Sequence, residues 1–164
     1  MKNDNRGMSI IEIVIILAMM AVLLGFMTNI TGYLSGKQAK ECAYKIDASL
    51  AGIRMDTMSK STGGKDVFLT IEKNNGQFYA IKNVKGTEKW EVIGGSQITV
   101  TAVDKDGNET EINDSDSVTF YFNRETGGLQ KDTVWYEKII ITQGRVTYEV
   151  IIEAVTGKFS YTRI

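Results

Sequence analysis

The chain has 164 residues, a formal net charge of −1, one cysteine, and neither histidine nor proline. Without histidine there is no Ser-His-Asp or Cys-His catalysis and no imidazole metal ligand. One cysteine, Cys42, excludes an intramolecular disulfide, and a near-zero charge without blocks of like sign argues against a broad nucleic-acid footprint.

In chain order, Lys2 and Arg6 come first, followed by an apolar run from Met8 to Met27. That run has about the 20 residues that cross a bilayer, and its basic flank predicts retention of the N-terminus in the cytoplasm. A secretory signal has a shorter apolar region and a small-residue cleavage site, which Thr28-Asn29-Ile30-Thr31-Gly32 matches poorly. Glu12 is the anomaly in the run. A carboxylate in such a helix is costly and calls for a partner. A cut between Gly7 and Met8 would create an α-amino group four residues before Glu12, one helical turn away. The amine of one helix could then meet Glu12 of a staggered neighbour. The plainer alternative is that Glu12 sits at headgroup level.

Gly7-Met8-Ser9-Ile10-Ile11-Glu12 resembles the cleavage site of type IV prepilins and pseudopilins: a short charged leader, a glycine, a hydrophobic helix and an acid five residues into the mature chain. The resemblance implies cleavage by a prepilin peptidase after Gly7, N-methylation of Met8, and a role for Glu12 in registering subunits. It also implies that Ile13 to Met27 hold the subunit in the cytoplasmic membrane and then pack in the core of a helical filament. Such a filament is a heterologous, non-closing assembly.

Beyond the apolar run, Ala39, Cys42, Ile46, Leu50, Ile53, Thr57 and Met58 recur in steps of three and four, with charged residues between them. This pattern predicts an amphipathic helix, ended by Gly63-Gly64. One helix from about Met8 to about Lys60 follows. Gly25, Gly32 and Gly36 weaken it, either as soft points or as sites of close helix packing. Cys42 is read as a small buried apolar residue rather than a reactive thiol.

From Val67 the period changes to two. Nine strands are expected: Val67–Glu72, Phe78–Lys82, Trp90–Ile93, Ile98–Val103, Glu109–Ile112, Val118–Phe122, Val134–Thr142, Val146–Glu153 and Phe159–Thr162. Turn signals such as Asn75-Gly76, Gly94-Gly95, Gln143-Gly144 and Thr156-Gly157 separate them. Val118 to Gly128, then Lys138-Ile139-Ile140-Ile141, then Val155-Thr156-Gly157-Lys158-Phe159 are similar in order to the heads of minor pseudopilins, including type II secretion and fimbrial minor subunits. The proline usual in the first turn of that pattern is missing.

The expected fold class is therefore α+β. A long N-terminal α-helix, with a transmembrane half and an amphipathic half, packs on an antiparallel β-sheet head, as in pilins. The expected segments are a leader over 1–7, a transmembrane or filament-core helix over 8–28, an amphipathic half over 29–60 and a β-rich head over 61–164. Asp104-Lys105-Asp106-Gly107-Asn108-Glu109 superficially resembles a calcium loop, but the positions that should hold glycine and glutamate hold Glu109 and Ser115, so a hairpin turn is expected. Asp114 and Asp116 could join a surface calcium site without the spacing demanding it. Gly63-Gly64-Lys65 does not make a phosphate loop. Trp90, Trp135 and the tyrosines are read as core or hairpin aromatics before a binding platform.

The reading is a non-enzymatic structural subunit, a minor pilin or pseudopilin. No catalytic residue, cofactor or metal is expected. The partners implied are prepilin peptidase, other pilin subunits and a membrane assembly platform. DNA is a further candidate if Lys82, Lys85 and Lys89 converge. A surface pilus, a competence pseudopilus for DNA uptake and a protein-secretion pseudopilus all fit, placing the chain in the cytoplasmic membrane as a single-pass protein and then in a cell-surface or extracytoplasmic filament. The rivals are an uncleaved single-span membrane protein with a ligand- or partner-binding β head, and a tethered enzyme.

Overall fold

The computed structural model describes residues 10–34, 36–59, 66–130 and 134–164, with side chains in the first of these segments described for 10–24. The chain divides into two compact units, with the boundary between Leu34 and Ser35.

The first unit holds helix α1 (Ile10–Leu34). Isoleucine, leucine, methionine and alanine dominate it, and no proline interrupts it. Glu12 lies in its first turn, where a negative charge complements the helix dipole. The described side chains form no polar stripe. Large apolar residues are exposed on every side, from Ile16 at 43% to Ile10 at 82%.

The second unit begins with helix α2 (Lys37–Ser59). Two helices thus replace the single helix expected from Met8 to Lys60. The physical reason is Gly36, which holds φ at +89°, a left-handed value that no α-helix interior adopts. The carbonyl of Gly36 accepts the first α2 hydrogen bond, from the amide of Lys40 at 2.9 Å. The amides of Gly36, Gln38 and Ala39 all donate to Gln143 Oε1, at 3.0, 3.1 and 3.3 Å. A side chain more than a hundred residues away therefore satisfies the orphan amides that every helix start carries.

Among the described residues no helix is long and apolar enough to cross a membrane. This corrects the transmembrane half of the expected helix and the single-pass placement in the cytoplasmic membrane. The membrane and transmembrane-helix labels, the placement in the membrane and then at the cell surface, and the single-span rival all depended on that span and fall with it.

The strands form two antiparallel sheets rather than one. β1 (Val67–Asn74), β2 (Gln77–Val84), β3 (Thr87–Gly94) and β6 (Ser117–Tyr121) make a four-stranded sheet in the order β3-β2-β1-β6. β4 (Thr99–Asp104), β5 (Glu109–Glu111), β7 (Tyr136–Gln143), β8 (Val146–Glu153) and β9 (Lys158–Arg163) make a five-stranded sheet in the order β5-β4-β7-β8-β9. Helix α2 touches three strands of each. Its stripe of Ala39, Cys42, Ile46, Leu50 and Ile53 is fully buried and shares one core with Leu69, Ile71, Phe120, Ile141 and Val150. Thr57 closes the stripe, its hydroxyl donating to the Ile53 carbonyl at 2.8 Å. Met58, expected on the stripe, is 43% exposed.

Burial raises the Cys42 thiol to about 12, with Lys45 opposing and Glu41 adding to the shift. Only the thiolate reacts with alkylating reagents. Iodoacetamide at pH 8 is therefore expected to leave Cys42 unmodified in the folded chain and to label it within minutes in urea. Equal rates measured by intact-mass spectrometry in the two conditions would contradict this burial.

Candidate functional site

The expected processing site divides across the limit of the described residues. Gly7 and Met8 lie outside them. Glu12 is described, exposed, and set between Ile11 and Ile13, which are 69% and 45% exposed. It is the one ionisable residue among the described side chains of α1.

In the second unit, the first and last of the three segments whose order resembled pseudopilin heads meet at a single side chain, Arg54 of α2. Its Nε donates to the Gly127 carbonyl at 2.9 Å and its Nη2 to the Thr156 carbonyl at 3.0 Å. Gly127 and Gly157 both adopt positive φ, at 69° and 63°. The turn before Gly127 is held by Asn123, whose Oδ1 accepts the amides of Glu125 and Thr126. Leu129 then donates to the Ala154 carbonyl at 2.7 Å, and the Phe122 and Phe159 rings meet edge to face at 5.7 Å. Sequence reading placed Arg54 on the polar face of the helix. Nothing local in the sequence marks it as the tie between two distant turns.

Lys82 and Lys89 are directly opposed across the β2–β3 hairpin, and Lys85 sits in its turn with φ of 54°. Glu88 and Glu91 flank Lys89 on the same strand. Lys82 and Lys89 share one face of the hairpin with Glu91, and Glu88 falls on the opposite face.

The calcium-like segment is a closed turn. Asp104 Oδ1 accepts the amides of Asp106 and Asn108 at 2.8 and 2.9 Å, and its Oδ2 accepts the Asn108 side-chain amide at 2.8 Å. Asp114 accepts the Gly76 amide, and Asp116 accepts the Asn113 amide. Among the described residues no group of three His, Cys, Asp or Glu could hold a metal ion. The side-chain bond from Asn108, reinforced by its backbone amide, holds the Asp104 carboxyl below its ordinary value. A depressed carboxyl stabilises the fold at pH above its unfolded value of about 4, and that contribution disappears as pH falls through the folded value. Asp104→Ala is thus expected to lower the urea midpoint at pH 7 and to differ little from wild type near pH 2. An equal loss at both pH values would show that the carboxylate is not the stabilising group.

At the end of the five-stranded sheet lies an open groove of about 610 Å³, lined by Trp135, Ile151, Val155 and Phe159 with Glu137, Lys138, Glu153 and Lys158 at its margins. Three of its polar groups are engaged. Glu153 accepts a hydrogen bond from the Thr156 hydroxyl, Lys138 lies 3.9 Å from Glu149, and the Trp135 indole donates to the Gln130 carbonyl. Of the core and hairpin roles read for Trp90, the structure shows the hairpin one: it lies on β3 with 53% of its surface exposed and meets Tyr79 of β2 at 5.7 Å.

No family model, curated protein or solved structure matches the chain.

Proposed function

We propose that the chain is a structural subunit of a type IV pilus-like filament, cut between Gly7 and Met8 by a prepilin peptidase. The observation that carries this reading is α1 itself. Glu12 apart, its described side chains are apolar on all sides, and the large apolar ones are between 43% and 82% exposed. A helix that is apolar all round is stable only when covered, and water-exposed surface of this kind drives association at roughly 25 cal/mol per Å² buried. Identical helices from sister subunits provide that cover, and repetition of one such contact builds a filament.

Glu12 supports the same reading. Within a stack of apolar helices a lone carboxylate needs a cation. Cleavage before Met8 would supply one as a new α-amine. The partners are then the peptidase, sister subunits and an assembly platform that feeds them in.

Mass spectrometry of the mature chain in cells that carry the peptidase tests the reading. The expected N-terminus is N-methylated Met8, and replacing Gly7 by a bulky residue is expected to leave the chain starting at Met1. Glu12→Ala is expected to be cut normally but recovered in sheared filament fractions at roughly a tenth of the wild-type amount, the level that follows if the pair is worth about 1.4 kcal/mol. A wild-type chain that starts at Met1 in such cells would overturn the proposal. Normal incorporation of the Glu12→Ala variant would remove the charge pair from it.

A further inference from the structure

The four-stranded sheet presents two chemically different faces. Side chains alternate along a strand, and α2 covers the face that carries Leu69, Ile71, Ala80 and Phe120, all buried. The opposite face carries two pairs of aromatic rings. Trp90 on β3 and Tyr79 on β2 meet edge to face at 5.7 Å, and Phe68 on β1 and Tyr121 on β6 meet at 5.4 Å. Trp90 and its neighbour Val92 are 53% and 46% exposed, and Ile81 lies buried beside Trp90 in the register.

The register sets the layout. Trp90 opposes Ile81, Ile81 opposes Thr70, and Thr70 opposes Thr119. Phe68 lies two residues from Thr70. Two strand spacings and one pleat repeat therefore separate Trp90 from Phe68, about 12 Å. Between the ring pairs lie the hydroxyls of Thr70 and Thr119, which share a hydrogen bond at 3.0 Å. Glu72 and Glu88 add carboxylates, and no lysine or arginine from these four strands falls on this face.

We propose that this face binds a neutral polysaccharide. The electron-rich faces of aromatic rings attract the C–H-lined faces of pyranose rings, and two platforms at this spacing suit a few linked sugars. The threonine hydroxyls can donate to and accept from sugar hydroxyls, and the carboxylates can accept from them, Glu88 while also accepting the Trp90 indole N–H at 3.2 Å. The charge decides against the other occupants. Sites that stack nucleic-acid bases pair their aromatics with a positive groove, and here the charges that the four strands place on the face are negative. A second copy of the chain would bury two like-charged carboxylates and a polar threonine row at the centre of the contact, where stable interfaces are depleted of charge.

Affinity electrophoresis of the full chain through gels containing hydroxyethylcellulose, laminarin or galactomannan tests the proposal, with oligo-dT as the polyanion control. At least one neutral polymer is expected to retard the chain. Trp90→Ala is expected to weaken that retardation about tenfold or more. The exposure of Trp90 leaves the core intact, which an unchanged melting temperature checks. Phe68→Ala with Tyr121→Ala is expected to act in the same direction, and Lys82→Ala with Lys89→Ala, on the other face, to have no effect. Three results would overturn the proposal: no retardation by any of the three polymers, retardation insensitive to Trp90, or a Trp90-dependent complex with oligo-dT or with the chain itself in light scattering.

Discussion

Gly157→Ala is expected to destabilise the second unit by about 3 kcal/mol or more, among the larger effects a single methyl can have. Two causes add. Gly157 sits at φ of 63°, where a side chain costs roughly 1 kcal/mol. An added Cβ would also overlap the Gly127 carbonyl oxygen and approach Arg54 Nε to 2.8 Å. That carbonyl is the acceptor for Arg54, so relieving the overlap pulls apart the tie between α2 and both turns. Gly107→Ala isolates the first cause, because Gly107 has φ of 83° and open space around it. It is expected to cost about 1 kcal/mol. Arg54→Ala is expected to cost about 1–2 kcal/mol, since it removes two charge-assisted bonds from a partly exposed site. In urea titrations, the sum of the Arg54 and Gly157 effects should exceed that of the double variant, because both break one junction. Equal midpoints for Gly157→Ala and Gly107→Ala would show that the close approach carries no energy.

What the sequence reveals and what it hides divide along the range of the interactions. Apolar periodicity is local, so all nine strands and the buried stripe of α2 are legible. β8 runs from Val146 to Glu153, as its alternating pattern reads. Turn chemistry is legible where glycine or asparagine supplies positive φ, as at Asn75-Gly76. It is less so at Lys85-Gly86, where a lysine takes φ of 54° and no turn-forming residue type precedes the glycine. Partnership between strands is not local. Nothing in Val118 to Tyr121 says that it pairs with β1 while β7 pairs with β4, and that choice makes two sheets of one expected sheet.

The helix break has the same cause. Gly36 reads as a mild weakness in a continuous helix, worth about 1 kcal/mol against alanine. Its fixed left-handed backbone depends on Val146 and Gln143, which are remote in sequence. Among the candidate functional residues, Glu12 is legible because its oddity is local, a charge in an apolar run. Arg54 and the ring pairs around Trp90 acquire their roles only when distant segments meet.

The helix break is where the second large effect is expected. Gly36→Ala would place a Cβ 2.6 Å from Val146 Cγ1 at a φ of 89°. The strain of a left-handed alanine is roughly 1–2 kcal/mol, and the overlap adds about 1 kcal/mol because a valine side chain can shift only slightly in a packed core. The total is about 2–3 kcal/mol. Gln143→Ala tests the other half of the device. Loss of a helix cap costs about 1 kcal/mol, up to about 2. Gln143 sits at the upper end because one oxygen serves three amides. Gln143→Glu keeps the acceptor and adds a negative charge at a helix start, which the dipole favours, so it is expected to match wild type or exceed it slightly. The ordering of urea midpoints separates capping from simple packing. If Gln143 acted by bulk alone, glutamate and alanine would not fall on opposite sides of wild type. Helix content supplies a second readout. With Gly36 replaced by alanine, the left-handed break is disfavoured, and the alternative is a helix continued through residue 36 at the expense of the Gln143 contacts. Circular dichroism of the Gly36→Ala, Gln143→Ala double variant is therefore expected to show more helix than wild type, while its stability falls below that of either single variant.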